Sequence, residues 1–146
     1  METVDVCIVG GGITGLAAAW RLGLAGRETV VLERFELDHT RGSSHGPTRI
    51  FRFAYPDPLY VRMAQAALPL WRELESGSGD EILKITGGLD LGEPATVDAV
   101  AAALEACNAA VERLPDARNR FPWLGAEGAG VYSPDTGVLS AARAWG

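Results

Sequence analysis

Apolar residues in this chain cluster in short runs and periodic stripes separated by glycine-rich or charged segments. "VDVCIV", Val4 to Val9, is a short β-branched run that stops at three glycines, the pattern of a buried strand entering a tight turn. The next segment, Ile13 to Leu24 in "ITGLAAAWRLGLAG", is rich in strong helix formers, and Gly26 supplies a stop signal. "TVVL", Thr29 to Leu32, is a second short strand, closed by Glu33. Strand, glycine turn, helix and strand in this order predict a βαβ unit with a right-handed crossover.

Further along, Leu59, Met63, Leu70, Trp71 and Leu74 are spaced for one face of a helix over Pro58 to Glu75, with Asp57 as cap, Pro58 in the first turn and a kink at Pro69. On this reading Trp71 packs in the core, and so does Trp123 of "RFPWL". "SGSGD", Ser76 to Asp80, reads as a flexible connection. Ile82 to Leu91 reads as a strand or hairpin bent at Gly87 and Gly88. Thr96 to Ala110 reads as an alanine-rich helix, Val131 to Tyr132 as a short strand before the turn "SPDTG", and "LSAARAWG" as the first turns of a helix.

A length of 146 residues suits about one domain with its own core. With 13 basic against 19 acidic residues the net charge is −6, and no basic patch is present to neutralise phosphate backbones, which argues against a nucleic-acid partner. No apolar run approaches the roughly 20 residues needed to span a bilayer, and no basic segment precedes the apolar start. The expectation is a cytoplasmic protein without a membrane partner. Cys7 and Cys107, in apolar and alanine-rich surroundings, read as buried, reduced thiols.

Candidate chemistry changes the picture at the glycine turn. Gly10, Gly12 and Gly15 form GxGxxG immediately after the first strand, with Gly11 adding freedom. Gly10 permits the turn, Gly12 lets a pyrophosphate approach the backbone, and Gly15 lets the helix pack closely on the strand. The pyrophosphate then faces the N–H groups at the start of the helix, where Ile13 and Thr14 lie. Glu33, at the end of the second strand, is placed to accept hydrogen bonds from ribose hydroxyls, and its charge disfavours a 2′-phosphate. This is an ADP-recognition pattern, and it does not distinguish FAD from NAD.

The block "GSSHGPTRIFRFAY", Gly42 to Tyr55, carries His45, Arg49 and Arg52. Its aromatic and β-branched content favours an extended chain, in which Arg49 and Arg52 point to opposite faces; a helix would bring all three onto one face. His39 reads as a loop or surface histidine.

Together with "DVCIVGGGITGLAAAWRLGLAG", "VVLERF", "LYVRMAQAALPLWRELE", "KITGGLDLG" and "GVYSPDTGVLSA", that block resembles the N-terminal part of the FAD-dependent amine oxidases typified by monomeric sarcosine oxidase, N-methyltryptophan oxidase and pipecolate oxidase. The resemblance implies FAD as cofactor and oxidation of a secondary amino acid, with O2 as electron acceptor and H2O2 as product. It implies that Arg52 binds the substrate carboxylate, a task suited to the planar donors of a guanidinium. It further implies that His45, Thr48 and Arg49 lie beside the flavin ring and that Ser43, Ser44 and Arg34 contact the cofactor; the extended reading of the block then predicts that Arg49 and Arg52 flank opposite sides of the flavin position. Phe53 stands where relatives often carry a polar or basic residue, a difference that bears on the substrate pocket.

The implied fold class is α/β: a Rossmann-like FAD-binding βαβ portion over residues 1–80, then the beginning of an α+β substrate-binding portion over 81–146. Family members are more than twice as long, and their later segments supply further strands and a second carboxylate contact. The implied partners are therefore a small amino-acid substrate, O2 and a complementary C-terminal polypeptide. The alternative reading is an FAD- or ADP-binding fragment without independent catalysis.

Overall fold

The computed structural model describes residues 3–36, 39–125 and 127–144. The chain forms two compact units: unit 1 takes in Met1–Thr48 and Ser140–Gly146, and unit 2 takes in Arg49–Leu139. These contact boundaries fall at residues 48 and 140, whereas division by sequence role falls at residue 80.

Unit 1 is built on strand β1 (Val6–Val9), helix α1 (Ile13–Leu24) and strand β2 (Thr29–Leu32). β1 and β2 pair in parallel, with Val6 opposite Thr29 and Val9 opposite Leu32. A parallel pair requires a crossover connection, and α1 provides it. The helix and β2 have the bounds that the sequence predicts. β1 is shorter, because Val4 and Asp5 precede the ladder. Past the Ala25 cap, Gly26 adopts φ +72, the left-handed conformation in which glycine avoids a Cβ clash. α1 buries none of its residues fully. Val9 is 85% exposed, and Cys7 is exposed rather than buried, because the face of the two-stranded sheet that carries both is uncovered.

Unit 2 contains the hydrophobic core. Strand β3 (Thr48–Phe51), in which the chain passes from one unit to the other, leads to helix α2 (Pro58–Ser78). β4 (Leu83–Ile85), β5 (Gly88–Leu91), α3 (Pro94–Ala106), β6 (Glu112–Leu114), a single 3₁₀ turn (Ala117–Asn119), β7 (Gly130–Ser133) and β8 (Gly137–Ser140) follow. β3, β8 and β4 form one sheet and β5, β7 and β6 another, with antiparallel β4–β8, β5–β7 and β6–β7 pairs. Phe51, Phe53, Val61, Leu83, Val100, Leu104 and Val131 meet in the core, with Trp71 packed against it.

Several sequence expectations change here. Asp57 caps α2 by accepting from Leu59 N at 2.8 Å, and Pro58 occupies the first turn. The helix then continues through Pro69 to Ser78, absorbing most of "SGSGD", and stops at Gly79 with φ +78. Its buried stripe is Val61, Ala64, Leu68 and Trp71, while Leu59, Met63 and Leu70 are exposed. Apolar residues lie on both faces of this helix, so the spacing admitted two stripes.

The segment 82–91 is no hairpin. β4 and β5 belong to different sheets, and Gly87 turns the chain between them with φ +72. α3 ends at Ala106, short of Ala110, where Asn108 takes φ +53. Leu139 and Ser140 belong to β8 and are followed by turns through residue 144 rather than a helix; 145 and 146 lie outside the described residues. Trp123 is 78% exposed, in edge contact with Phe121, and is not core. No helix among the described residues is long and apolar enough to cross a membrane.

Candidate functional site

The candidate residues fall into two groups, one in each unit. In unit 1 the glycine turn is constrained at two points. Gly10 sits at φ +105, a conformation that L side chains rarely adopt. A Cβ on Gly15 would overlap the Gly10 carbonyl oxygen and lie 3.3 Å from Ile8 Cγ2. Only glycine lets α1 start this close to β1. A Cβ on Gly12, in contrast, would find only Ser44 Oγ within contact distance, at 3.8 Å. The backbone there has the open face that a phosphate group requires.

Glu33 closes the turn from the other side. Its Oε2 accepts from Gly11 N at 2.7 Å, while Oε1 accepts from Arg34 N at 2.7 Å and Phe35 N at 3.1 Å. The Gly11 N–H foremost, then that of Phe35, holds the carboxyl below its ordinary range; burial pushes the other way, and the Arg34 N–H and the neighbouring His39 reinforce the lowering. Glu33 is therefore ionised at neutral pH.

Ser44 arrives from the loop before β3, and its Oγ accepts from Ile13 N at 3.3 Å. This contact joins the serine block to the helix start, residues distant in sequence. His45 Nδ1 bonds the Gly42 carbonyl within the same loop, and Gly46 turns it at φ +104. Ser43, Thr14 and Thr48 are exposed on this unit, and the Arg34 guanidinium lies 5.4 Å over the Phe35 ring.

Where the chain enters unit 2, exposure alternates from Thr48 to Phe53. Arg49 shares a side with the buried Phe51 and Phe53, and Arg52 shares the other side with exposed Ile50. Phe53 packs edge-on against Phe51, ring centroids 5.4 Å apart, and is a core residue. Arg52 Nη1 lies 3.6 Å from Asp90 Oδ1 on β5, and its guanidinium covers the Tyr55 ring at 4.7 Å. Burial raises the Asp90 carboxyl above its ordinary range, and the Arg52 charge offsets this only in part.

Sequence reasoning did not single out Asp90 as the partner of Arg52, nor the approach of the loop histidine His39 to Glu33. A lone carboxylate inside the apolar strand "GLDL" was a signal for the first. A histidine in the loop that follows Glu33 was a signal for the second. Among the described residues no cluster of His, Cys, Asp and Glu could hold a metal ion.

A parallel βαβ unit with a glycine turn packed under its helix and an ionised acid at the end of its second strand is the arrangement of the Rossmann-type nucleotide-binding fold. The family described as FAD dependent oxidoreductase (DAO) matches residues 5–145, and the chain belongs to it. It is 37% identical over 130 residues to the monomeric sarcosine oxidase of Streptomyces avermitilis, covering 84% of this chain and 33% of that protein. It is 34% identical over 143 residues to the monomeric sarcosine oxidase of a Bacillus species, covering 92% and 37%. The open form of NikD, an amino acid oxidase of nikkomycin biosynthesis, superposes with a TM-score of 0.77 at 28% identity, covering 99% of this chain and 39% of NikD. The fold is shared with L-proline dehydrogenase from P. horikoshii at a TM-score of 0.81. The chain thus spans well under half the length of each of these relatives.

Proposed function

We propose that this chain binds FAD through its ADP moiety and forms the N-terminal part of an amine oxidase acting on a secondary amino acid such as an N-methyl or cyclic amine. The observation that carries the reading is the Glu33 carboxylate held against Gly11 N beside the open backbone at Gly12. In this reading Gly10, Gly12, Ile13, Thr14 and Gly15 receive the pyrophosphate on backbone N–H groups, and Glu33 receives the ribose. Arg34, Ser43, Ser44 and Thr48 complete the cofactor contacts. When bound, the flavin would supply hydride acceptance from the carbon next to the substrate nitrogen and pass electrons to O2, giving H2O2.

The protein's own groups bind and orient. Arg52 would grip the substrate carboxylate with its paired donors, and His45 and Arg49 would provide positive charge near the flavin ring that favours its reduced anion. A second reading, FAD or ADP binding without catalysis in this chain, draws on the Arg52–Asp90 pair, which already engages the guanidinium.

Titration with FAD followed by calorimetry tests the binding claim, and saturable one-to-one binding is expected. Addition of a complementary C-terminal polypeptide should then yield peroxide from sarcosine or pipecolate. Saturable FAD binding with no flavin reduction by any amine after reconstitution would leave the second reading.

A further inference from the structure

His39 has a closely determined environment for a histidine in a surface loop. Its Nδ1 accepts from Arg41 N at 3.0 Å, so the neutral ring carries its proton on Nε2. That nitrogen lies 3.5 Å from Glu33 Oε1, a charge–dipole contact at the limit of hydrogen-bond reach. The ring stands edge-on to Phe35 with centroids 5.0 Å apart, and the Arg41 guanidinium covers the same Phe35 at 4.8 Å. A Cβ on Gly42 would lie 3.6 Å from the imidazole Cε1, so the returning loop passes close to the ring.

The two oxygens of Glu33 are treated differently. Oε1 faces Arg34 N, Phe35 N and His39 Nε2. Oε2 receives Gly11 N alone among the described residues, which leaves it a lone pair. A carboxylate anchored through one oxygen presents the other in a fixed direction. We propose that His39 is a positioning residue: it holds Glu33 Oε1 so that Oε2 is aimed at the 2′-hydroxyl of an adenosine-containing dinucleotide. This rests on the reading that Glu33 receives the ribose.

The test uses the whole chain and calorimetric titration with ADP and with 2′-deoxy-ADP. His39→Phe keeps a ring against Phe35 but removes the Nε2 donor; His39→Gln keeps a donor and removes the ring. The wild type should prefer ADP over 2′-deoxy-ADP by about tenfold, the scale of one hydrogen bond to a charged group. In His39→Phe that preference should shrink to roughly a third of its wild-type value, with 2′-deoxy-ADP affinity unchanged, and His39→Gln should restore it. An unchanged preference in His39→Phe, or equal weakening toward both ligands, would overturn the proposal.

If the wild type binds neither ligand, the dinucleotide reading itself fails. The anchoring is then read from exchange of the Gly11 amide, with unit 2 amides as internal reference. Protection in the wild type and His39→Gln but not in His39→Phe supports anchoring, and equal exchange in all three refutes it. If His39→Phe loses protection in both units it is unfolded, and His39→Gln decides: wild-type preference or Gly11 protection is required of it.

Discussion

Unit 1 and unit 2 are held together by different means. Unit 2 buries Val61, Leu83, Leu104 and Val131 almost completely around two sheets and two helices. Unit 1 contributes Ala141 as its one buried apolar side chain among the described residues, leaving Leu24, Leu32 and Val9 exposed. What unit 1 has instead is backbone fit: a glycine against a carbonyl, a carboxylate against an amide, a serine against a helix start. The unit whose residues match an ADP site is thus the one with little hydrophobic stabilisation. On the proposed reading, binding surface and stabilising core are divided between the two, because open backbone near a ligand cannot also be filled with side chains.

This contrast can be broken experimentally. Leu104→Ala should cost about 2–5 kcal/mol, the range for emptying a packed leucine site, measured by urea unfolding. Unit 2 amides should lose exchange protection while β1 and β2 amides keep theirs. Uniform loss across both units would show that they share one cooperative core. Gly15→Ala acts in the opposite place. The new methyl must displace the Gly10 carbonyl, at a cost of about 1–3 kcal/mol for an overpacked site, and FAD binding should be lost with unit 2 protection intact.

Glu75 sharpens the picture within unit 2, because it ties α2 to β4. Oε1 accepts from Ile82 N at 2.7 Å and Leu83 N at 2.6 Å, and Oε2 accepts from Arg72 at 2.6 Å. Burial pushes this carboxyl upward, but the Leu83 amide, the Arg72 guanidinium and the Ile82 amide outweigh it and hold it below 4.5. A lowered folded-state value means that the stability from its ionised form is present above about pH 4.5 and lost as the pH falls through the lowered value. Glu75→Gln should therefore be less stable than wild type by about 1–3 kcal/mol near neutrality, the gap closing in acid as chemical denaturation is repeated down the pH scale. The smallest effect belongs to Met63→Gln. Met63 is 58% exposed, and its loss should change stability by no more than about 0.5 kcal/mol in the same assay.

The sequence disclosed local features better than distant ones. α1, β2 and the glycine turn were legible because each depends on neighbours within a few residues: a helix former, a stop glycine, a β-branched run. Glu33 followed from its position after β2. The stripe on α2 was misread because Val61 and Ala64, small and easily overlooked, face the core while Leu59 and Met63 face outward. The apparent hairpin at Gly87 failed for a similar reason. Neither glycine there reveals that Tyr132, from β7, packs against Gly87 and leaves no room for a Cβ. Asp90 beside Arg52 and His39 beside Glu33 depend on a fold bringing side chains together, and neither contact has a fixed spacing by which to be read.

The most direct test of the central claim, that unit 1 carries dinucleotide recognition through Glu33 and the glycine turn, is calorimetric titration of the chain with FAD, wild type against Glu33→Gln. Saturable one-to-one binding, weakened about tenfold in the variant with unit 2 exchange protection unchanged, is the predicted result. FAD binding of equal strength in both proteins, or none in either, would contradict it.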